Sequence, residues 1–307
     1  MTKAEHMPPK PAESSQPKHG AKQYSDGHPL DEVHYREYKI LLKPDRFATA
    51  RGFKEFAKLL RHAADDLEVT LSGDEAAAAP HQIREIVFFD TPKFDLYNHA
   101  FILRKRTIYQ DGLAVGDPEL AFKYRHIDID TAATIDVRPG EHGTYRVKFK
   151  EELLPLRDRV GGIRSLFSHN CVLGVSEVGA GFSIANVAKT FPALRQVEMS
   201  GRKIELVNHV AVEEVLAELG ELHFGHGLQA KTNVASWRRL ADDKPFIGEF
   251  AFQCRFVRAD ELHKKAKRHS EEFFKAFQKI AADWVEPGVT KTSIVYTMGK
   301  RVITNHE

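Results

Sequence analysis

The stretch Glu119-Leu120-Ala121-Phe122-Lys123-Tyr124-Arg125 alternates apolar and basic side chains. In an extended strand residues i and i+2 share a face, so Leu120, Phe122 and Tyr124 fall on one side and Lys123 with Arg125 on the other. Segment 144–150 repeats the division, with Tyr145, Val147 and Phe149 opposing Arg146, Lys148 and Lys150. Segment 249–256 sets Phe250, Phe252, Cys254 and Phe256 against Glu249, Ala251, Gln253 and Arg255. Upstream, Arg104 and Arg106 share a face with Ile102 and Ile108, and Glu37 and Lys39 share one with Tyr35 and Leu41.

Alternation of this kind ordinarily marks a sheet with one solvated face. A solvated face mixes signs, whereas these polar faces gather Lys39, Arg104, Arg106, Lys123, Arg125, Arg146, Lys148, Lys150 and Arg255 against Glu37 and Glu249. Like charges opposed across strands cost roughly 0.2–1 kcal/mol per pair. Such a face calls for a multivalent anion, and Arg forks together with Lys point charges suit phosphate oxygens. Strands that close on themselves would bury the apolar faces against outer helices and leave a wet, positive interior. The reading is an α+β fold, a closed or nearly closed antiparallel β-barrel with helices packed outside.

Working outward, strand composition runs from Val33 to Lys43, and further strands are predicted at 83–90, 99–109, 119–127, 144–150, 194–207, 232–240 and 246–257. Phe47, Phe53, Phe56, Ala57 and Leu60 recur near a 3.6-residue period and predict a helix over 45–64. Short helices are predicted at 158–167, 184–190 and 212–219. Leu262, Ala266, Phe273, Phe277, Ile280, Ala281 and Trp284 form one stripe of a final helix, whose flank Lys264, Lys265, Lys267 and Arg268 reads as a solvated face. The closing segment 291–298 reads as a last strand or an extended strap.

The 307 residues are 42% hydrophobic and 29% charged, an ordinary globular composition, and the net charge of +2 gives no prior for nucleic acid or membrane. Cys171 and Cys254 stand far apart with no CxxC spacing, so neither a disulfide framework nor a zinc site is indicated. His223-Phe-Gly-His226 and the other histidines lack ligand spacing, and no P-loop, GxGxxG or GxSxG sequence occurs. Residues 1–30, rich in Pro, Lys, Ser, Gly and His, read as a disordered tail before a single domain over 31–307. With no signal-like or spanning apolar run, the expectation is a cytoplasmic protein without a membrane partner.

Phe88-Phe89-Asp90-Thr91-Pro92, followed by Leu96 and then by Phe101-Ile102-Leu103-Arg104-Lys105-Arg106, resembles a Tyr-Phe-Asp-Thr-Pro segment leading into Leu-Arg-x-Arg. That pairing belongs to the CYTH or triphosphate tunnel metalloenzyme superfamily, which includes triphosphatases, thiamine triphosphatases and class IV adenylyl cyclases. Tyr35-Arg36-Glu37-Tyr38-Lys39 stands where the family has E-x-E-x-K, with Tyr35 replacing the first acid. Glu249-Phe250-Ala251-Phe252-Gln253 is similar to its late E-x-E-x-E strand, with Ala251 and Gln253 replacing two acids, and Lys291-Thr292-Ser293 to its C-terminal lysine segment. The resemblance spans about Val33 to Met298.

The resemblance implies catalytic roles for Glu37 and Lys39, and polyanion contacts by Lys39, Arg104, Arg106, Lys123, Arg125 and Lys291, with Arg202 and Arg238 as looser matches. Arg146 and Lys148 join the binding set from the strand pattern. Mg²⁺ or Mn²⁺ would be held by Glu37 and Glu249 and completed by phosphate and water, although Tyr35, Ala251 and Gln253 remove three expected carboxylates. Two functions follow: a divalent-metal triphosphatase acting on inorganic triphosphate, polyphosphate or an organic triphosphate, or a polyphosphate-binding module that has lost hydrolysis.

Overall fold

The computed structural model describes residues 22–73, 82–140, 143–174, 181–197, 203–258 and 261–299. The chain divides into two compact units, Met1–Asp31 and Glu32–Glu307. Of the first, residues 1–21 of the predicted tail lie outside the described residues, and the remainder forms a turn closed by a Gln23–Pro29 bridge.

The second unit contains strands β1 (Tyr35–Leu42), β2 (Thr70–Ser72), β3 (Gln82–Asp90), β4 (Phe101–Gln110), β5 (Leu113–Ala114) and β6 (Glu119–His126). They continue with β7 (Tyr145–Leu154), β8 (Arg164–Gly174), β9 (Glu205–His223), β10 (Gln229–Arg239) and β11 (Pro245–Arg255). Helices are α1 (Ala50–Asp66), α2 (Asp95–Asn98), α3 (Ile129–Thr134), α4 (Ile184–Thr190), α5 (Lys264–Ile280) and α6 (Lys291–Thr297).

Nine strands close into a barrel in the order β1-β7-β8-β6-β4-β3-β9-β10-β11, with β11 returning to β1. Eight of the nine seams are antiparallel, as expected, but β1 and β7 run parallel, so the barrel is mixed. Such a seam cannot be joined by a hairpin; here the connection from β1 to β7 carries five other strands, β2 to β6, before returning.

The apolar strand faces point outward under the helices. Tyr38, Ile40, Phe250 and Phe252 pack beneath α1 and α5 through Phe53, Phe56, Leu60, Phe273, Phe274 and Phe277. Phe101, Leu103, Phe122 and Cys171 pack beneath α4 through Ile184 and Val187. Burying each such side chain contributes about 1.5–3 kcal/mol, so the inward placement of the polar faces is fixed by what the other faces gain.

Four predicted elements differ. Residues 158–167 are not a helix: 158–163 are irregular and 164–167 open β8, which pairs on both sides with β6 and β7. Residues 212–219 are rich in Glu, Ala and Leu, good helix formers, yet they lie within the 19-residue β9 between β3 and β10, where pairing on both edges overrides propensity. Of the predicted strand 194–207, 198–202 lie outside the described residues; the rest holds the end of a 3₁₀ turn at Pro192–Gln196 and the start of β9 at Glu205. Residues 291–297 are a helix rather than a strap, because Thr290 and Ser293 form a capping box: the Ser293 amide donates to the Thr290 hydroxyl and the Thr290 amide to the Ser293 hydroxyl.

Candidate functional site

The barrel encloses a cavity of about 460 Å³. Register explains its lining. Alternate residues of β1 give it Glu37, Lys39 and Leu41; β4 gives Ile102, Arg104 and Arg106; β6 gives Ala121, Lys123 and Arg125; β11 gives Glu249, Ala251 and Gln253. At one end, Glu286 to Thr292 enter the lining, and α6 carries Lys291 and Thr292 inward.

Of the residues singled out in the sequence, Glu37, Lys39, Arg104, Arg106, Lys123, Arg125, Glu249 and Lys291 line this cavity. Arg146 and Lys148 do not. Arg146 is 62% exposed and shares Glu119 with Arg106. Lys148 lies against the Tyr35 ring. Arg238 is turned to Glu213 and Asp243, outside the lining, and Arg202 lies outside the described residues.

The interior is less one-sided than the strand pattern suggested. Glu152, Glu214 and Glu218 also face it, and the whole lining carries ten Lys or Arg against seven Glu. Glu152 was missed because the predicted strand stopped at 150, although the parity of Arg146, Lys148 and Lys150 points straight to it. Glu214 and Glu218 were missed because their segment reads as helix.

The acids are already engaged. Lys39 Nζ lies 2.9 Å from Glu37 Oε2 and 3.0 Å from Glu152 Oε1, bridging two carboxylates that are register partners on β1 and β7. Lys150 adds a contact to Glu37 at 3.2 Å, and Arg125 one to Glu152 at 3.2 Å. Burial works against both carboxylates ionising, but Lys150 and Lys39 outweigh it at Glu37, and Arg125, Lys39 and Lys123 at Glu152; both stay below the usual carboxylate range. Burial likewise opposes the Lys39 ammonium, and Glu152 and Glu37 overcome it, raising its pKa. Farther along, Lys291 sits 2.7 Å from Glu249, 3.4 Å from Glu214 and over the Trp237 ring. Glu214 also accepts from the Trp237 indole at 2.8 Å and pairs with Arg84 at 3.0 Å; Lys291 and Arg84 hold it at about 2 against burial.

Among the described residues, two half-buried cations of the lining are left without a close carboxylate. Arg104 forms no ion pair among the described residues, and its buried Nε has no hydrogen-bond partner. Burial first, and then Arg106, lower it to about 10. Among the described residues Lys123 reaches only Glu152, at 3.6 Å, and burial with Arg125 drives its pKa well below the ordinary lysine value. Both project into the cavity from adjacent strands. Uncompensated buried charge of one sign is costly unless a counter-ion arrives.

Among the described residues no group of three or more His, Cys, Asp or Glu is arranged to hold a metal ion. Glu37 and Glu249 face the cavity on paired strands, but Glu37 is opposite Gln253 and Glu249 opposite Leu41. That offset of four residues is about 13 Å along the strand. Glu37 and Glu152, by contrast, are direct partners. A divalent ion bound here would use these two carboxylates, both now held by Lys39, with phosphate and water completing its shell.

No family model and no curated protein matches the chain. Solved structures do. The chain is similar to HpAC1 of Hippeastrum, a candidate adenylyl cyclase described as having a dominant triphosphatase activity, at 12% identity over 90% of this chain and 100% of that one, with a TM-score of 0.41. It is also similar to a candidate adenylate cyclase of Bacillus halodurans (13% identity, 87% and 98% covered, TM-score 0.40) and to PH1819 of Pyrococcus horikoshii OT3 (10%, 87% and 100%, 0.37). At such identities and TM-scores the likeness transfers no residue's role. No described helix is long and apolar enough to cross a membrane.

Proposed function

We propose that the barrel binds a triphosphate-bearing polyanion and hydrolyses its phosphoanhydride with the help of a divalent ion. The observation that carries the reading is the pair Arg104 and Lys123, half-buried on adjacent strands, facing the cavity and lacking a close carboxylate partner among the described residues. Arg104, Lys123 and Arg125 would seat phosphate oxygens by charge-assisted hydrogen bonds, with Lys39 and Lys291 at the flanks. Glu37 and Glu152 would hold one Mg²⁺ or Mn²⁺, whose chemistry is to polarise a phosphoryl oxygen. In the hydrolysis, a water oxygen bonds to phosphorus as the anhydride P–O bond breaks, and the basic residues stabilise the charge on the transferring group and the departing shorter chain.

A second reading, binding without hydrolysis, is favoured by Lys39 bridging Glu37 and Glu152 and by Ala251 and Gln253 in the lining. Phosphate release from inorganic triphosphate, ATP and thiamine triphosphate, with Mg²⁺, Mn²⁺ or chelator, separates the two. Metal-dependent release that Glu37→Ala and Lys123→Ala both abolish supports the enzyme. Binding that needs Lys123 but no metal, without release, supports the module, and absence of any binding overturns both.

A further inference from the structure

Just outside the cavity lining, the Tyr35 ring has three cations against it: Lys148 Nζ at 5.7 Å, Lys150 Nζ at 5.8 Å and the Arg255 guanidinium at 5.9 Å from its centroid. Lys148 and Lys150 come from β7 and Arg255 from β11, the strands on either side of β1. Neither Lys148 nor Arg255 pairs with a carboxylate among the described residues; Lys150 alone does, with Glu37. An aromatic face attracts cations through its quadrupole without cancelling their charge. Tyr35 therefore gathers three positive groups and leaves the rim positive, where an acid at the same place would neutralise it. Lys148 feels the result: burial, and then Lys150 and Arg146, lower its pKa.

This rim is continuous with the cavity. Lys123, Asn170 and Lys148 are register partners across β6, β8 and β7, so Lys148 lies two strands, about 10 Å, from Lys123. Asn170 belongs to the cavity lining and its amide donates to the Lys148 carbonyl at 2.8 Å. A linear anion seated at Arg104 and Lys123 that continued past Asn170 would meet Lys148, and beyond it Arg255.

We infer that the rim around Tyr35 is a second anion subsite, which takes the remote end of a phosphoanhydride chain longer than a triphosphate. The inference rests on the polyanion-binding reading above and specifies its substrate class. A nucleobase is the poorer occupant, since cations already lie against the Tyr35 ring from strands on both sides and it offers no free stacking platform.

Calorimetric titration of the full chain in Mg²⁺ buffer with inorganic triphosphate, a linear octaphosphate and a single-stranded oligonucleotide of matching charge tests this. The octaphosphate is expected to bind about tenfold more tightly than triphosphate, as one or two additional charge-assisted contacts would give. Arg255→Glu and Tyr35→Glu should each bring the two affinities together, while Tyr35→Phe, which keeps the ring, preserves the difference. Circular dichroism checks that each variant is folded, and Tyr35→Phe with Arg255→Glu reads the subsite independently of Tyr35→Glu. Equal affinities in the wild type, or a difference that survives both Glu variants, overturns the rim subsite. An oligonucleotide bound as tightly as octaphosphate overturns the chain assignment. Failure to bind any of them overturns the cavity reading instead.

Discussion

The Lys39 ammonium stands 3.0 Å from the Glu152 carboxylate, inside the barrel and across its one parallel seam. Glu152 is 1% exposed and also meets Arg125 and Lys123, so one carboxylate balances three cations. Glu152→Gln leaves those cations buried and uncompensated, a change that costs about 3–5 kcal/mol when a buried pair is broken. The expected outcome is a lower urea midpoint for the empty protein and a larger stabilisation by added triphosphate than the wild type shows, because the ligand then supplies the missing charge. Urea unfolding with and without triphosphate measures both; an unchanged midpoint would show that Glu152 is not the balancing acid.

Lys123 presents the opposite case. It is half-buried, repelled by Arg125 and only distantly paired, so its removal relieves the empty barrel while taking a donor from the ligand. Lys123→Ala is expected to leave the unfolding free energy unchanged or raised, and to weaken triphosphate binding by about 10- to 100-fold. Parallel loss of stability and affinity would mean that Lys123 is structural.

The inward basic faces were legible because period-2 alternation survives in any strand paired on both sides: Lys123, Arg125, Arg104 and Arg106 all reach the interior from parity alone. The acids opposing them were not. Glu214 and Glu218 sit in Val212-Glu-Glu-Val-Leu-Ala-Glu-Leu219, whose composition favours a helix, and only pairing with β3 and β10, invisible in one sequence, makes it a strand. Arg146 and Lys148 lie on the inward-facing side of β7 by parity but toward an end of the barrel; alternation gives the side of a strand, not its depth. The α6 helix was signalled by Thr290 and Ser293 at capping-box spacing, a local cue overshadowed by the β-branched run Ile294-Val295.

Gln253 lies directly opposite Glu37 and accepts a hydrogen bond from Lys150 at 2.7 Å. Gln253→Glu would put a carboxylate across from Glu37 on the side away from Glu152, raising the number of oxygen donors around Glu37. Mn²⁺ affinity, followed by the electron paramagnetic resonance of free Mn²⁺, is expected to rise about tenfold or more, as one additional charged ligand gives. No gain would indicate that Lys39 and Lys150 hold the acids too firmly for an ion to enter.

Asp90, at the end of β3, is fully buried and accepts four hydrogen bonds: from the amides of Thr91 (2.7 Å), Leu96 (2.9 Å) and Tyr97 (2.9 Å), and from the Tyr296 hydroxyl of α6 (3.1 Å). It thereby ties the barrel wall to the helix that brings Lys291 and Thr292 into the cavity. Burial pushes its carboxyl up to about 7, against those donors. Between the ordinary aspartate value and about 7 the folded chain holds a proton that the unfolded chain has released, so stability from this group falls as pH rises through that window. Asp90→Asn does not titrate; its amide also turns a donor toward the donors of the site, which costs about 1–3 kcal/mol. Chemical unfolding from pH 4.5 to 7.5 is therefore expected to show the wild type losing stability relative to Asp90→Asn as pH increases, so that the gap between them narrows. Tyr296→Phe, which removes one of the four donors, should steepen that loss by leaving the ionised carboxylate less well held. A gap that stays constant with pH would mean that the four donors outweigh burial and that Asp90 is ionised throughout.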